Sequence, residues 1–147
     1  MRVRAIWPLA FVAVLLAVGA TSAAAGQTAV DTLTRPVERG GSYTDVGATG
    51  LAAMLTKKNF TLINVHVPYE GEIEGTDLSI PFDQVLARTA ELPTDKNARL
   101  VVYCRSGRMS AIAVRTLVAL GYRDVWHLDR GMIAWQRAGY PLIRKGG

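Results

Sequence analysis

From position 43 onward the chain alternates short apolar runs with longer stretches whose apolar positions recur at helical spacing. Residues 62–65, 78–80, 100–103 and 125–128 have strand length and composition, and residues 43–46 fit a short edge strand. Between them, residues 51–55, 82–90, 110–120 and 131–138 predict helices. Pro81 closes the 78–80 strand, Pro93 follows the 82–90 helix, and Gly121 supplies a helix stop after residue 120. Residues 100–103, Leu-Val-Val-Tyr, show no polar alternation, which is what a parallel strand covered on both faces requires.

Strands and helices that alternate at this spacing predict an α/β fold, with a mostly parallel sheet and helices on both faces. In such sheets ligands bind beyond the carboxyl ends of the strands. Cys104 stands immediately after the 100–103 strand, so the topology itself points there.

The rest of the chain carries different signals. Arg2 and Arg4 precede an apolar run over residues 5–20, and small residues follow through Gly26. That order predicts a signal peptide over residues 1–25, cleaved after Ala25, and hence a periplasmic or secreted protein. An uncleaved membrane anchor is the alternative, because a spanning helix needs about 20 apolar residues. No cysteine follows the run, which excludes a lipid-modified cysteine. Residues 26–42 are polar, with Pro36 and Gly40-Gly41-Ser42, and read as a linker or arm. The folded domain is expected over residues 43–143, with a tail at 144–147. The formal charge of +5 is scattered rather than run together, which argues against nucleic acid and fits a small anionic substrate.

One cysteine in an exported chain cannot pair internally, so it is a buried apolar residue, an intermolecular crosslink or a free reactive thiol. Arg105 and Arg108 beside it argue against simple packing. If residues Arg105, Ser106, Gly107, Arg108, Met109 and Ser110 curl with their N–H groups inward, and Ser110 opens the helix, the loop becomes an anion nest that favours a thiolate. Gly107 suits the turn because it accepts positive φ. The two guanidinium groups add donors able to grip an oxyanion.

This loop resembles the active-site loop of the rhodanese family. The resemblance extends over about residues 43–143: Leu62-Ile63-Asn64-Val65-His66 is similar to the family's second strand, residues 71–80 and Pro81 to its following loop and strand, and residues 125–139, with Asp129, Gly131, Met132, Ala134 and Trp135, to its closing strand and helix. The resemblance implies a three-layer rhodanese-like fold and a ping-pong sulfur transfer through a persulfide on Cys104. It implies a donor such as thiosulfate, held by Arg105 and Arg108, and cyanide or a thiol, possibly on a protein, as acceptor. No metal or organic cofactor is implied.

The chain departs from the family pattern at three places. Asn64-Val65-His66 stands for Asp-Val-Arg, Gly71-Glu72-Ile73-Glu74-Gly75 for Gly-His-Ile-Pro-Gly, and Asp129-Arg130-Gly131 for Asp-Gly-Gly. His66, Glu72 and Arg130 are therefore candidates for the pocket rim. Arg130 is expected either to supplement Arg108 or to be a solvated loop residue.

A cysteine phosphatase or arsenate reductase on the same fold is the alternative activity. Such phosphatases carry an arginine six positions after the cysteine, where this chain has Ser110. A non-catalytic sulfur carrier or binding module is the other alternative. His66 and His127 are the only histidines; a Cys–His pair would need one against Cys104 with an orienting third group, and His127, on an apolar strand, is expected to be structural. Ligand spacing for a metal is absent. Trp126 and Trp135 are expected in the core or the pocket wall.

Overall fold

The computed structural model describes residues 30–145. The leader expected over residues 1–25 lies outside the described residues. Among those described, no helix is long and apolar enough to cross a membrane.

Six strands, β1 (Thr32–Pro36), β2 (Ser42–Val46), β3 (Thr61–Asn64), β4 (Leu78–Ser79), β5 (Leu100–Tyr103) and β6 (Val125–Leu128), form one sheet in the order β1-β2-β6-β5-β3-β4. The β1–β2 pair is antiparallel and every other pair is parallel. Three α-helices, α1 (Ala48–Leu55), α2 (Arg108–Ala119) and α3 (Gly131–Arg137), cover the sheet. The predicted α/β class, with its mostly parallel sheet, is the observed one.

The apolar run of β5 explains the layering. All four of its residues are buried. Because successive side chains point to opposite faces, Leu100, Val102 and Cys104 join one core with Ala113, Val114 and Leu117 of α2. Val101 and Tyr103 join a second core, with Leu51 of α1 and Met132 and Trp135 of α3. The Tyr103 hydroxyl is bonded to the Ile73 N–H (3.0 Å) and Thr76 Oγ1 (2.7 Å), and burial pushes its ionisation up to about 12.

The structure corrects four expectations. Residues 32–36 are not part of a linker: they form β1, exposed along its whole length. An edge strand needs no apolar face; here a Gly40–Gly41 turn (φ +96° and +81°) and an Arg35–Asp45 ion pair of 2.7 Å align it on β2. The 43–46 strand is consequently internal rather than at an edge. Residues 82–90 form no α-helix but a series of turns and a short 3-10 segment, Thr89–Glu91. Only Val85 is buried in that stretch, while Leu86 is 66% exposed, so no apolar stripe exists to hold a helix. Finally, α2 starts at Arg108, two residues earlier than predicted, with Gly107 (φ +94°) as its cap, so Ser110 lies inside the first turn.

Candidate active site

Cys104 follows the last residue of β5, and its side chain turns toward the amino end of α2. Its sulfur, 1% exposed as a residue, accepts the Gly107 N–H at 3.1 Å and the Ser110 hydroxyl at 3.3 Å. The first-turn N–H groups of a helix lack intrahelical partners, and its amino end carries partial positive charge. The α2 terminus therefore presents donors and favourable potential to any anion on the sulfur.

A second helix terminus holds the loop from behind. The Met132 N–H donates to the Cys104 carbonyl at 2.9 Å, and the Ile133 N–H donates to the Arg105 carbonyl at 3.0 Å. With their carbonyls held by the first turn of α3, these two residues turn their oxygens away from the sulfur. Gly131 permits the approach: its backbone is left-handed (φ +52°), and a Cβ there would overlap the Cys104 carbonyl oxygen. Gly107 is similarly confined, since a Cβ would stand 3.2 Å from the Arg130 nitrogen and 3.7 Å from the His127 ring.

A recess of about 380 Å³ opens beside the sulfur, lined by His66, Phe82, Arg105, Arg108, Met109 and Ile112 among others. Ser106 also lines it, and Arg105, Ser106 and Arg108 are exposed. The structure thus gathers Cys104, the 105–109 loop and His66 around one cavity, with Ser110 buried at the sulfur. Arg108 takes part in no ion pair among the described residues, and it sits in the first turn of α2, where a cation is disfavoured by the helix dipole.

Glu70, to which no sequence motif points, bonds two residues of the recess. Its Oε2 accepts from Arg105 Nη1 at 2.6 Å and contacts His66 Nε2 at 2.8 Å. The Arg105 guanidinium, then His66, hold this carboxyl below its usual ionisation range. Asn64, where the family pattern has an acid, uses both ends of its amide: Oδ1 accepts the His66 N–H at 3.0 Å and Nδ2 donates to the Gly71 carbonyl at 3.2 Å. A carboxylate could not make the second bond.

The two other rim candidates lie elsewhere. Glu72 is 1% exposed and pairs through Oε1 with Lys145 at 3.1 Å. Its backbone bonds Ile143 in both directions at 2.8 Å, which ties the C-terminal segment to the 66–72 loop. Arg130 lines a neighbouring recess with Arg35, Asp45 and Asp129, and its guanidinium lies 3.5 Å from Asp129. It is also the one described non-glycine residue with positive φ, +56°. A left-handed conformation costs an L-residue about 1–2 kcal/mol, and glycine escapes that cost at some entropic expense. Arg130→Gly is therefore expected to stabilise the protein by about 0.5 kcal/mol or more, read as a higher urea midpoint. A lower midpoint would show that the guanidinium contributes more than the strain costs.

His127, expected to be structural, is connected to the reactive end. Its Nε2 lies 2.9 Å from Ser110 Oγ and 3.2 Å from the Gly107 carbonyl, and its Nδ1 lies 2.8 Å from Asp45 Oδ1. Among the described residues, no group of three or more His, Cys, Asp or Glu side chains is placed to hold a metal ion.

Fold and loop together define a mostly parallel α/β domain that holds a cysteine sulfur among hydrogen-bond donors at the carboxyl end of its sheet. Residues 48–138, more than half of the chain, match the model of the rhodanese-like domain, and the chain belongs to that family. A protein of Allochromatium vinosum named sulfurtransferase is 36% identical over 89 residues, covering 58% of this chain and 80% of that protein. Thiosulfate sulfurtransferase PspE of Escherichia coli is 38% identical over 65 residues, covering 43% of this chain and 62% of that one, so this match spans less than two thirds of the relative. The crystal structure of a rhodanese-like domain protein from Staphylococcus aureus superposes with a TM-score of 0.59 at 27% identity, covering 69% of this chain and 98% of that chain.

Proposed function

We propose that this protein is a sulfurtransferase that carries a sulfane sulfur on Cys104 and takes it from thiosulfate or a similar anionic donor. The observation that carries this reading is the Cys104 sulfur itself, which receives the Gly107 N–H and the Ser110 hydroxyl beside two exposed guanidinium groups. Membership of the rhodanese-like family and the names of two relatives support it.

The chemistry balances without a cofactor. The Cys104 thiolate attacks the outer sulfur of thiosulfate; a sulfur–sulfur bond to Cys104 forms as the donor's own sulfur–sulfur bond breaks, and its electron pair leaves with sulfite. The persulfide then gives its outer sulfur to cyanide or a thiolate, and the Cys104 thiolate returns. Throughout, an anion occupies the nest, where the donors on the sulfur stabilise it. An exported location, supported by the arginine, apolar and small-residue order of residues 1–25, would place this thiol in an oxidising compartment without an internal partner.

The deciding experiment is intact mass spectrometry after incubation with thiosulfate, with a Cys104→Ser control. Gain of one sulfur atom by the native protein alone supports the reading. No gain, or phosphate release from an aryl phosphate, overturns it.

Arg108→Ala is expected to lower kcat/KM for thiosulfate about tenfold or more, the scale of one charge-assisted hydrogen bond of about 1.5–3 kcal/mol. The melting temperature should hold or rise slightly, because a cation leaves the amino end of α2. An equal loss of stability and activity would assign Arg108 to the fold instead.

A further inference from the structure

Four polar side chains run in series through the buried region behind the sulfur. Asp45 Oδ1 meets His127 Nδ1 at 2.8 Å, His127 Nε2 meets Ser110 Oγ at 2.9 Å, and Ser110 Oγ meets Cys104 Sγ at 3.3 Å. Ser110, Cys104 and His127 are 0%, 1% and 6% exposed. Each link comes from a different element: β2, β6, α2 and the end of β5. Such a series can shift protons along its length, because the hydroxyl in its middle both donates and accepts.

One arrangement of protons makes every contact of the series a hydrogen bond. Beside a carboxylate, Nδ1 must carry a proton. Nε2 faces the Gly107 carbonyl as well as Ser110, and that carbonyl, which also takes the Ala111 N–H at 3.0 Å, can only accept. A bare Nε2 would oppose the carbonyl lone pair at 3.2 Å, whereas a protonated Nε2 donates to it. In that arrangement both ring nitrogens are donors. The Ser110 hydroxyl, which has the Gly107 carbonyl at 3.2 Å and the sulfur at 3.3 Å as acceptors, accepts from Nε2 and in this arrangement donates to the sulfur, and the sulfur, with the Gly107 N–H also pointing at it, is an acceptor on both sides.

We infer that Asp45, His127 and Ser110 are a proton relay that holds the Cys104 proton on His127, so that the resting protein is a thiolate–imidazolium pair oriented by Asp45. The inference deepens the sulfurtransferase reading and rests on it for its consequence, a nucleophile ready before the donor arrives. In the relay step the proton of the Cys104 thiol passes to Ser110 Oγ as the Ser110 proton passes to His127 Nε2. The electron pair of the S–H bond stays on sulfur, and no further reactant is needed. Ser110 contacts the reacting sulfur; His127 and Asp45 act through it and are positioning residues.

The surrounding charges pull in both directions. Arg105 and Arg108 beside the recess favour the thiolate, and His66, also in the recess, is paired with Glu70. On the His127 side, Asp45 shares its carboxylate with Arg35 at 2.7 Å, which tempers its hold on the ring. The edge of Tyr43 meets the imidazole at 5.9 Å between centroids, and Asp129 and Arg130 pair with each other beyond it. The helix terminus and the arginines of the recess remain in every variant at positions 45 and 127; Asp45→Asn also loosens the Arg35 pair on β1, which His127→Gln leaves in place.

The test is the rate of iodoacetamide alkylation of Cys104 as a function of pH, which reads the thiolate without any sulfur donor and so stands apart from the mass experiment. In the native protein the rate is expected to rise with an inflection below the value of about 8.5 typical of a free thiol. His127→Gln and the near-isosteric Asp45→Asn are expected to move that inflection up by about one unit or more. Ser110→Ala should do the same and Ser110→Thr should restore it. A purely structural role would lower the melting temperature and leave the inflection in place. Coincident profiles for native protein and Asp45→Asn, or for native protein and His127→Gln where that variant folds, overturn the relay. An inflection moved by Ser110→Ala alone assigns the effect to one hydrogen bond on the sulfur and overturns it equally.

Discussion

Replacing Gly131 by alanine should destabilise the domain by about 3 kcal/mol or more and, in the fraction that folds, slow alkylation of Cys104. Two costs combine at this one atom. The backbone is left-handed, and the added Cβ overlaps the Cys104 carbonyl oxygen and stands 2.8 Å from that of Arg105. Neither neighbour is the end of a flexible side chain; both are backbone groups already bonded to Met132 and Ile133. Relief therefore requires the cysteine loop to withdraw from α3, which disturbs the turn that aims Gly107 at the sulfur. Urea unfolding measures the first effect and alkylation at fixed pH the second. A Gly131→Ala protein with native stability would mean that the loop and helix are held together by something other than this close contact.

Trp135→Ala is expected to cost about 3–5 kcal/mol, the range for emptying a large aromatic site. Trp135 is 5% exposed and fills the second core beside Leu51, Tyr103 and Met132. Its Nε1 donates to the Pro141 carbonyl at 2.9 Å, and its ring lies 4.5 Å from that of Tyr140. The loss thus removes both apolar burial and the seat of the C-terminal segment, whose Ile143 bridges Glu72. Trp135→Phe, which keeps most of the area and loses the hydrogen bond, should cost about 1–2 kcal/mol. Equal midpoints for the alanine and phenylalanine variants would locate the contribution in the hydrogen bond rather than in packing.

The parts of this fold legible in the sequence are those that burial specifies alone. Residues 100–103 and 125–128 read as strands because the central parallel strands are walled on both sides, so the first run is unbroken and the second is interrupted only at His127. The loop at Cys104 was legible because a lone thiol followed closely by two arginines and a helix has few structural uses. What escaped were elements defined by long-range pairing. β1 has no buried residue, and nothing in Thr32–Pro36 distinguishes it from a linker until β2 is beside it. Residues 82–90 have helical spacing but only Val85 to bury. Glu70 owes its place to Arg105, far along the chain. Asp45 and His127 are 82 positions apart, yet they are directly paired in the parallel register of β2 and β6. An aspartate in β2 and a histidine in β6, the strand beside the cysteine strand, were the available signal, and only strand order turns it into a contact.

The amides of Met132 and Ile133 close on the carbonyls of Cys104 and Arg105, so the first turn of α3 and the cysteine loop share one set of backbone hydrogen bonds. Neither can fray without releasing the other. In hydrogen–deuterium exchange the two segments, joined by bonds between residues 28 positions apart, should therefore open as one cooperative unit, with Met132 and Ile133 exchanging at a common free energy and Gly107 following them. The cysteine loop then has the kinetics of a packed helix rather than those of a surface turn, and in the proposed sulfur transfer a donor or acceptor reaches the sulfur by diffusion into the recess, not by opening of the loop.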